Sequence, residues 1–299
     1  MALAAGCANR EEPAGPATKS APAAKAFPVQ ITAPDGKQIT LTHEPQRIVS
    51  LSASSTETLF AIGAGKQVVA VDDQSNYPAE APKTTLSGLT PNIEAIADYK
   101  ADLVIAQNDA NDLVAGLAKL QIPVLILPAA TALDDVYAQF GLLGKATGHD
   151  DEAKDLSERT RGDIEKIVAD TPKPQQPLSY YHELTTELYS ATSKTFIGQV
   201  YGLFGLTNIA DAADTVDSGG YPKLSAEHVV QSNPDLVFLA DTKCCGQNAT
   251  TVAARPGWNT LKAVSGGNVV ELDDDLASRW GPRVVELVRA VAQAVGKAG

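Results

Sequence analysis

Cysteine is nearly missing from this 299-residue chain, which has three: Cys7, Cys244 and Cys245. No Cys-x-x-Cys spacing exists, so a structural zinc site of the usual kind is not expected. The adjacent pair Cys244 and Cys245 is either joined as a vicinal disulfide or stands as two buried thiols. Histidine is almost as scarce, at His43, His149, His182 and His228, with no repeating spacing. A free-metal site built from several converging imidazoles therefore has little to draw on, and no metal ligands are assigned. No apolar run approaches the roughly 18 residues of a membrane-spanning helix. Basic residues are outnumbered, 24 Lys and Arg against 36 Asp and Glu, for a net charge of −12. Such a surface repels polyanions, which excludes general nucleic-acid binding.

Catalytic signatures are missing as well. There is no Gly-x-Ser-x-Gly elbow, no Walker phosphate loop and no His-Glu-x-x-His. Gly63 and Gly65 of "AIGAGKQ" close a helix instead of opening one, so they are not a dinucleotide fingerprint. His182 and Glu183 are neighbours on a strand and point to opposite faces, which argues against a paired acid–base role. No catalytic residue is assigned, and no cofactor.

What is present suffices for a core: 44% hydrophobic residues and a mean hydropathy of −0.09. Residues 8–26 are Ala, Pro, Lys and Glu without an aromatic, a composition that cannot offset its ordering entropy and reads as a tether. "FPVQITAPDGKQITLT" predicts a hairpin around Asp35-Gly36. "RIVSLS" is a short apolar strand, and "SSTETLFAIGAG" a helix with Ser54 and Glu57 at the spacing of a capping box. Short apolar strands then alternate with helices, the mark of a mostly parallel α/β sheet. A long charged helix, "DDEAKDLSERTRGDIEKIVAD", stops at "TPKPQQP", where proline forbids continuation. After it the alternation resumes. "NIEAIADYKADLVIAQ" in the first half is echoed by "LSAEHVVQSNPDLVFLAD" in the second, with Asp102 and Asp235 in the same place. One echo per half argues for two related lobes. The expected domains are 1–7, a residual lipoprotein signal; 8–26, the tether; 27–148, an N-terminal lobe; 149–171, a spine helix; and 172–299, a C-terminal lobe.

Ligands of open α/β sheets bind beyond the carboxyl ends of the strands. The polar and aromatic residues expected there are Tyr77, Asn108, Tyr181, His182, Lys243, Arg279 and Trp280. With aromatics at 5% of the chain, a tryptophan in the glycine-bounded loop "LASRWG" is set for ligand contact or partial core packing. Tyr77 stands between ligand contact and turn packing before Pro78. Trp258 reads as a packing anchor.

"RIVSLSASSTETLFAIGAGKQVVAVDDQSNYP", "IEAIADYKADLVIAQ", "TFIGQVYGLFGLTNIAD" and "SAEHVVQSNPDLVFLAD" together resemble the substrate-binding proteins of ABC importers for cobalamin, iron–siderophore complexes and haem. The resemblance implies an α/β fold of two Rossmann-like lobes with mostly parallel sheets, joined by one long spine helix. It implies a monomer that performs no chemistry, takes a cobalt or iron chelate in the cleft between the lobes, closes only modestly, and passes the chelate to an ABC permease and its ATPase. Cobalamin and a ferric siderophore are equally favoured and haem less so, with His182 and the tyrosines as its candidate axial ligands. An exposed glutamate on each lobe docks on the permease in such proteins. Glu57 matches the first position, and Gly202 stands at the second, with Asp211 or Asp214 as substitutes. The alternatives are a two-lobed α/β enzyme using a metal or nucleotide cofactor, or a free-metal binding protein. "LAAGC" resembles a lipobox, which makes Cys7 the lipidation site and places the protein outside the cell, anchored to the outer face of the bacterial cytoplasmic membrane. Only six residues precede Cys7 and no basic segment does, so the expectation is an upstream in-frame start or a truncated chain.

Overall fold

Apolar runs too short to span anything but a covered sheet set the architecture. The computed structural model describes residues 27–299; Cys7 and the tether at 8–26 lie outside the described residues. The hairpin forms as expected, β1 (Val29–Thr32) pairing antiparallel with β2 (Gln38–Leu41). Gly36 turns it at φ +81°, a conformation costly for any side chain.

The first lobe is a parallel sheet of β3 (Ile48–Leu51), β4 (Val68–Val71), β5 (Leu103–Ala106) and β6 (Val124–Ile126), in spatial order β4-β3-β5-β6. Every residue of β3 and β5 is buried, because helices cover both faces. Those helices are α1 (Ala53–Ala61), α2 (Ile93–Ala97), α3 (Leu113–Ala118) and α4 (Leu133–Thr147). The charged segment is α5 (Asp150–Asp170). It buries only Ala153, Leu156, Thr160 and Ile164, one stripe at helical spacing that leaves the rest of its surface to water.

The second lobe repeats the plan. Strands β7 (Ser179–Glu183), β8 (Thr207–Asn208), β9 (Leu236–Leu239) and β10 (Val269–Glu271) lie parallel in the order β10-β9-β7-β8. Its helices are α6 (Phe196–Gly202), α7 (Ala226–Ser232), α8 (Thr242–Cys245), α9 (Ala249–Ala253), α10 (Lys262–Ser265), α11 (Asp274–Ser278) and α12 (Val284–Ala298). In both lobes the first strand of the sheet is flanked by the second and the third. The two-lobed α/β architecture with a long joining helix is therefore present. One core runs through both lobes, carrying residues of α4, α5 and α12 along with Ile105 of the first sheet and Phe238 of the second.

The echo in sequence is an echo in structure. The Asp102 carboxylate accepts the N–H groups of Gln46 and Arg47 at 2.8 and 2.9 Å. The Asp235 carboxylate accepts the N–H of Ser179 at 2.9 Å. Each aspartate sits just before one strand and tethers the entry of the strand beside it, satisfying N–H groups that the ladder leaves over.

A cleft between the lobes

Parallel strands bring their carboxyl ends to one edge of each sheet, and a cleft opens where the chain reverses its direction of winding. Between the lobes here the cleft has a volume of about 290 Å3. Ser52, Ser54, Gly88, Leu89 and Asn108 line it from the first lobe, and Asp275, Ser278, Arg279 and Trp280 from the second. Gly88 is needed for its closeness: a Cβ there would stand 2.6 Å from the Leu51 carbonyl oxygen and 2.9 Å from Asp72 Oδ2.

The serine-rich loop after β3 builds the floor. Ser52, not Ser54, caps α1, its Oγ accepting from the Ser55 N–H at 3.4 Å. The capping box expected of Ser54 and Glu57 is thus not the one used. Thr56 Oγ1 lies 2.9 Å from both Ser50 Oγ and Ser75 Oγ, and Ser75 donates in turn to Asp72. Burial pushes the Asp72 carboxyl above its ordinary range, against the pull of the Ser75 hydrogen bond. Ser54 Oγ accepts the Trp280 N–H at 3.2 Å, joining the lobes.

Glu57, released from capping, is 2% exposed. It accepts from Arg279 Nη1 at 2.9 Å, Arg283 Nε at 2.9 Å and Arg283 Nη2 at 2.5 Å. The expectation of an exposed docking glutamate at this position is corrected: the carboxylate is enclosed by two guanidiniums from the far end of the chain. Arg279 is committed on every side. It also donates to Asn76 Oδ1 at 2.9 Å, the Gln74 carbonyl at 2.8 Å and Asp275 Oδ1 at 2.7 Å. Asn76 Nδ2 reaches Asp275 Oδ2 at 3.0 Å. These contacts form a clasp across the cleft.

Of the seven residues expected at the ligand, Asn108, Arg279 and Trp280 line the cleft. Lys243 is exposed on α8 at its edge and pairs with Asp273 at 2.7 Å and Asp275 at 3.0 Å. Tyr77 lies elsewhere, in a separate groove with Phe60, Leu156 and Arg283, whose guanidinium sits 4.2 Å from the ring centroid. Tyr181 and His182 are fully buried. Tyr181 packs edge-on against Trp258, the buried anchor, at 5.9 Å. His182 Nδ1 is 2.8 Å from the Tyr201 hydroxyl, and burial lowers its pKa to about 3. Both side chains are enclosed because β7 is the second strand from the sheet's edge and is covered on both faces, so its residues cannot meet a ligand. His182 and Glu183 do face opposite ways: Glu183 receives both arms of Arg255, at 2.6 and 2.5 Å. Beside that pair, Asp241 is buried and its carboxyl is raised to about 7, first by desolvation and then by the Glu183 charge. Gly202 ends α6 on the surface, and Asp211 and Asp214 are occupied by Ser193 and Lys194. Among the described residues no three His, Cys, Asp or Glu side chains gather as a metal site.

Three apolar residues at this end of the fold escape a reading of the sequence. Leu89 lines the cleft and is 79% exposed. Tyr189 and Tyr221 are exposed on a two-stranded ribbon over the carboxyl end of β7, held by Ser190 N–H to Pro222 O and Thr192 N–H to Gly220 O. Tyr221 follows Gly219-Gly220, the same glycine-bounded signal that marked Trp280. Cys244 and Cys245 are joined in a vicinal disulfide.

A family model described as "Periplasmic binding protein" matches residues 48–276. The chain is 29% identical over 302 residues to the uncharacterized ABC transporter substrate-binding lipoprotein YvrC of Bacillus subtilis, covering 98% of this chain and 93% of that protein. It is 32% identical over 291 residues to a cobalamin-binding protein of Halobacterium salinarum, covering 93% of this chain and 78% of that protein. Among solved structures, the periplasmic vitamin B12 binding protein BtuF of Vibrio cholerae superposes with a TM-score of 0.71 at 24% identity, covering 86% of this chain and 99% of that chain.

Proposed function

The chain belongs to the periplasmic binding protein family, and from that premise we propose that it captures a cobalt or iron chelate, cobalamin foremost, and delivers it to an ABC permease. The observation that carries this reading is the cleft at the carboxyl ends of both sheets, where apolar Trp280 and Leu89 stand among hydrogen-bonding groups. Such a mixture suits a macrocycle with apolar faces and polar rim groups. The 32% identity to a cobalamin-binding protein ranks cobalamin above a ferric siderophore. Haem ranks lower because, of its candidate axial ligands, His182, Tyr180, Tyr181 and Tyr201 are enclosed, and the exposed tyrosines are not among the residues that line the cleft. The cleft lies at the low end of ligand-pocket volumes, about 300–1,000 Å3. A chelate therefore sits partly outside it, against Tyr189 and Tyr221, or parts the clasped lobes. Titration of tryptophan fluorescence with cyanocobalamin, a ferric catecholate complex and haemin tests the reading. Cyanocobalamin is expected to bind with a sub-micromolar Kd; absence of binding by all three below tens of micromolar overturns it.

Lipid anchoring through Cys7 belongs to the same proposal, supported by the lipoprotein relative. So does the permease contact, which calls for an exposed carboxylate on each lobe. With Glu57 buried, the matching pair is Glu94 and Glu227. Both are exposed, and both stand two residues after a capping side chain, Asn92 of α2 and Ser225 of α7. They occupy the same place in the internal echo, at helix starts beside the cleft. Charge reversal, Glu94→Arg with Glu227→Arg, is expected to abolish stimulation of the importer's ATPase while leaving the ligand Kd unchanged. Intact stimulation removes these residues from the interface.

A further inference from the structure

Helix α8 has four residues, none of them buried. A helix so short does not stand by its own hydrogen bonds in water, and it has no apolar face to anchor it. Two things hold it. Asp274 accepts from the Thr242 N–H and Thr242 Oγ1, each at 2.8 Å, from the Lys243 N–H at 3.0 Å and from the Cys244 N–H at 2.9 Å. The Cys244–Cys245 disulfide then closes the last two residues into one ring.

Both cysteines are exposed, so the bond staples no core. It also closes no loop worth the name. The chain-entropy stabilisation given by a disulfide grows with the residues it encloses, and here the separation is one. Its consequence is local: it fixes the backbone at the end of α8. That backbone is the start of a continuous set of contacts. Lys243 pairs with Asp273 and Asp275. Asp275 holds Arg279 at 2.7 Å and Asn76 at 3.0 Å, and Arg279 reaches Glu57 in the other lobe. α8 follows β9 and α11 follows β10, so both sit over the cleft end of the second sheet.

We propose that Asp274 and the Cys244–Cys245 disulfide are positioning elements of the cleft, holding α8 and α11 as one unit that sets Lys243, Asp275 and Arg279 against the first lobe. The site thereby becomes sensitive to reduction. A dithiol gives two electrons and two protons to the two sulfurs, breaking the S–S bond to leave two thiols, and is itself oxidised to a cyclic disulfide. The exposed sulfurs admit this exchange. The affinity arm of the proposal rests on the cleft being the chelate site; the structural arm does not.

The test compares the full chain before and after treatment with dithiothreitol. Hydrogen exchange is followed by mass spectrometry, and binding is measured with cyanocobalamin, haemin and a ferric catecholate complex. Reduction is expected to speed exchange at residues 242–246 and 273–279 at least tenfold while leaving β3 and β5 unchanged. It is expected to weaken whichever probe binds at least threefold, and re-oxidation is expected to restore both values. Cys244→Ala with Cys245→Ala should match the reduced protein and ignore the dithiol. Asp274→Asn should reproduce the loss with the disulfide intact. Exchange within twofold of the oxidised protein overturns the proposal. Faster exchange with an unchanged Kd overturns the affinity arm and leaves the coupling of α8 to α11 standing. If no probe binds, the chelate reading fails and the exchange at residues 273–279 alone decides this one.

Discussion

Replacing Glu57 by Gln tests the clasp most directly. The carboxylate is almost wholly enclosed and accepts three charge-assisted hydrogen bonds. Removing one partner of a buried ion pair costs about 3–5 kcal/mol, because the remaining charge is left in the interior. The side chain of Gln keeps one acceptor oxygen but turns an NH2 group toward a guanidinium. The two arginines are not stranded alike. Arg279 retains Asn76, Gln74 and Asp275 as acceptors. Arg283 is 16% exposed in its side chain and regains some water. These compensations place Glu57→Gln at the low end, about 3 kcal/mol, or roughly a hundredfold in the folding equilibrium. For a protein of this size that is a fall in Tm of roughly 6–12 °C. Urea unfolding of the full chain measures the loss, and a cycle with Arg283→Gln measures the coupling, expected above about 1 kcal/mol. A loss below about 1 kcal/mol, the worth of an exposed pair, refutes the reasoning. Because the clasp joins the lobes, the variant should also shift Trp280 emission to the red without ligand.

Two more outcomes follow from the geometry of single residues. The Asp241 carboxyl is raised from 3.8 to about 7, so between those values the folded state holds a proton that the unfolded chain has lost. Stability therefore falls as pH rises through that window, by at most about 1.4 kcal/mol per pH unit, and levels off above it. Asp241→Asn should remove this slope and be more stable than the native protein at pH 7.5; parallel Tm-against-pH curves for the two would contradict the assignment. Gly88→Ala places a Cβ against the Leu51 carbonyl and the Asp72 carboxylate, an overpacking that costs about 1–3 kcal/mol. Unchanged Tm and probe affinity in that variant would show that the cleft floor yields freely.

The sheets were legible because burial on both faces leaves strands with almost nothing but apolar residues, and turns and helix ends carry their own chemistry. The doubling of the lobe was legible through the echo that holds Asp102 and Asp235, and in the structure their positions are one strand-tethering device used twice. The site was less legible. Asn108, Arg279 and Trp280 follow strands or stand in loops, where the sequence pattern says which end of the sheet a residue occupies. Tyr181 and His182 sit near the same end but on the strand itself, and they are enclosed by residues that come later in the chain, Tyr201 of α6 over His182 and Trp258 over Tyr181. Glu57 could not be read at all from its neighbours. Its spacing from Ser54 is that of a local cap, yet its partners are 222 and 226 residues away. Local pattern and distant partner compete for one carboxylate, and two guanidiniums outweigh one amide N–H.

The repeat itself separates scaffold from site. What the two lobes share, the strand order, the strand-tethering aspartate and the capped helix with its exposed second-position glutamate, is what any such lobe needs to fold and to present one surface twice. What they do not share lies at the cleft. The first lobe meets it with a serine-rich loop whose hydroxyls bond to one another. The second meets it with α11 and the loop after it, which carry Asp275, Ser278, Arg279 and Trp280, while the ribbon with Tyr189 and Tyr221 and the disulfide-closed α8 follow strands at the same end of its sheet. On the proposed reading, a ligand between such unlike walls meets serine hydroxyls on one side, and on the other the Trp280 ring with charged groups about it and the exposed tyrosines beyond. Discrimination among chelates should therefore follow changes in the second wall more than in the first, and Tyr221→Ala should alter the ranking of cyanocobalamin, haemin and a ferric catecholate where Ser52→Ala leaves that ranking as it was.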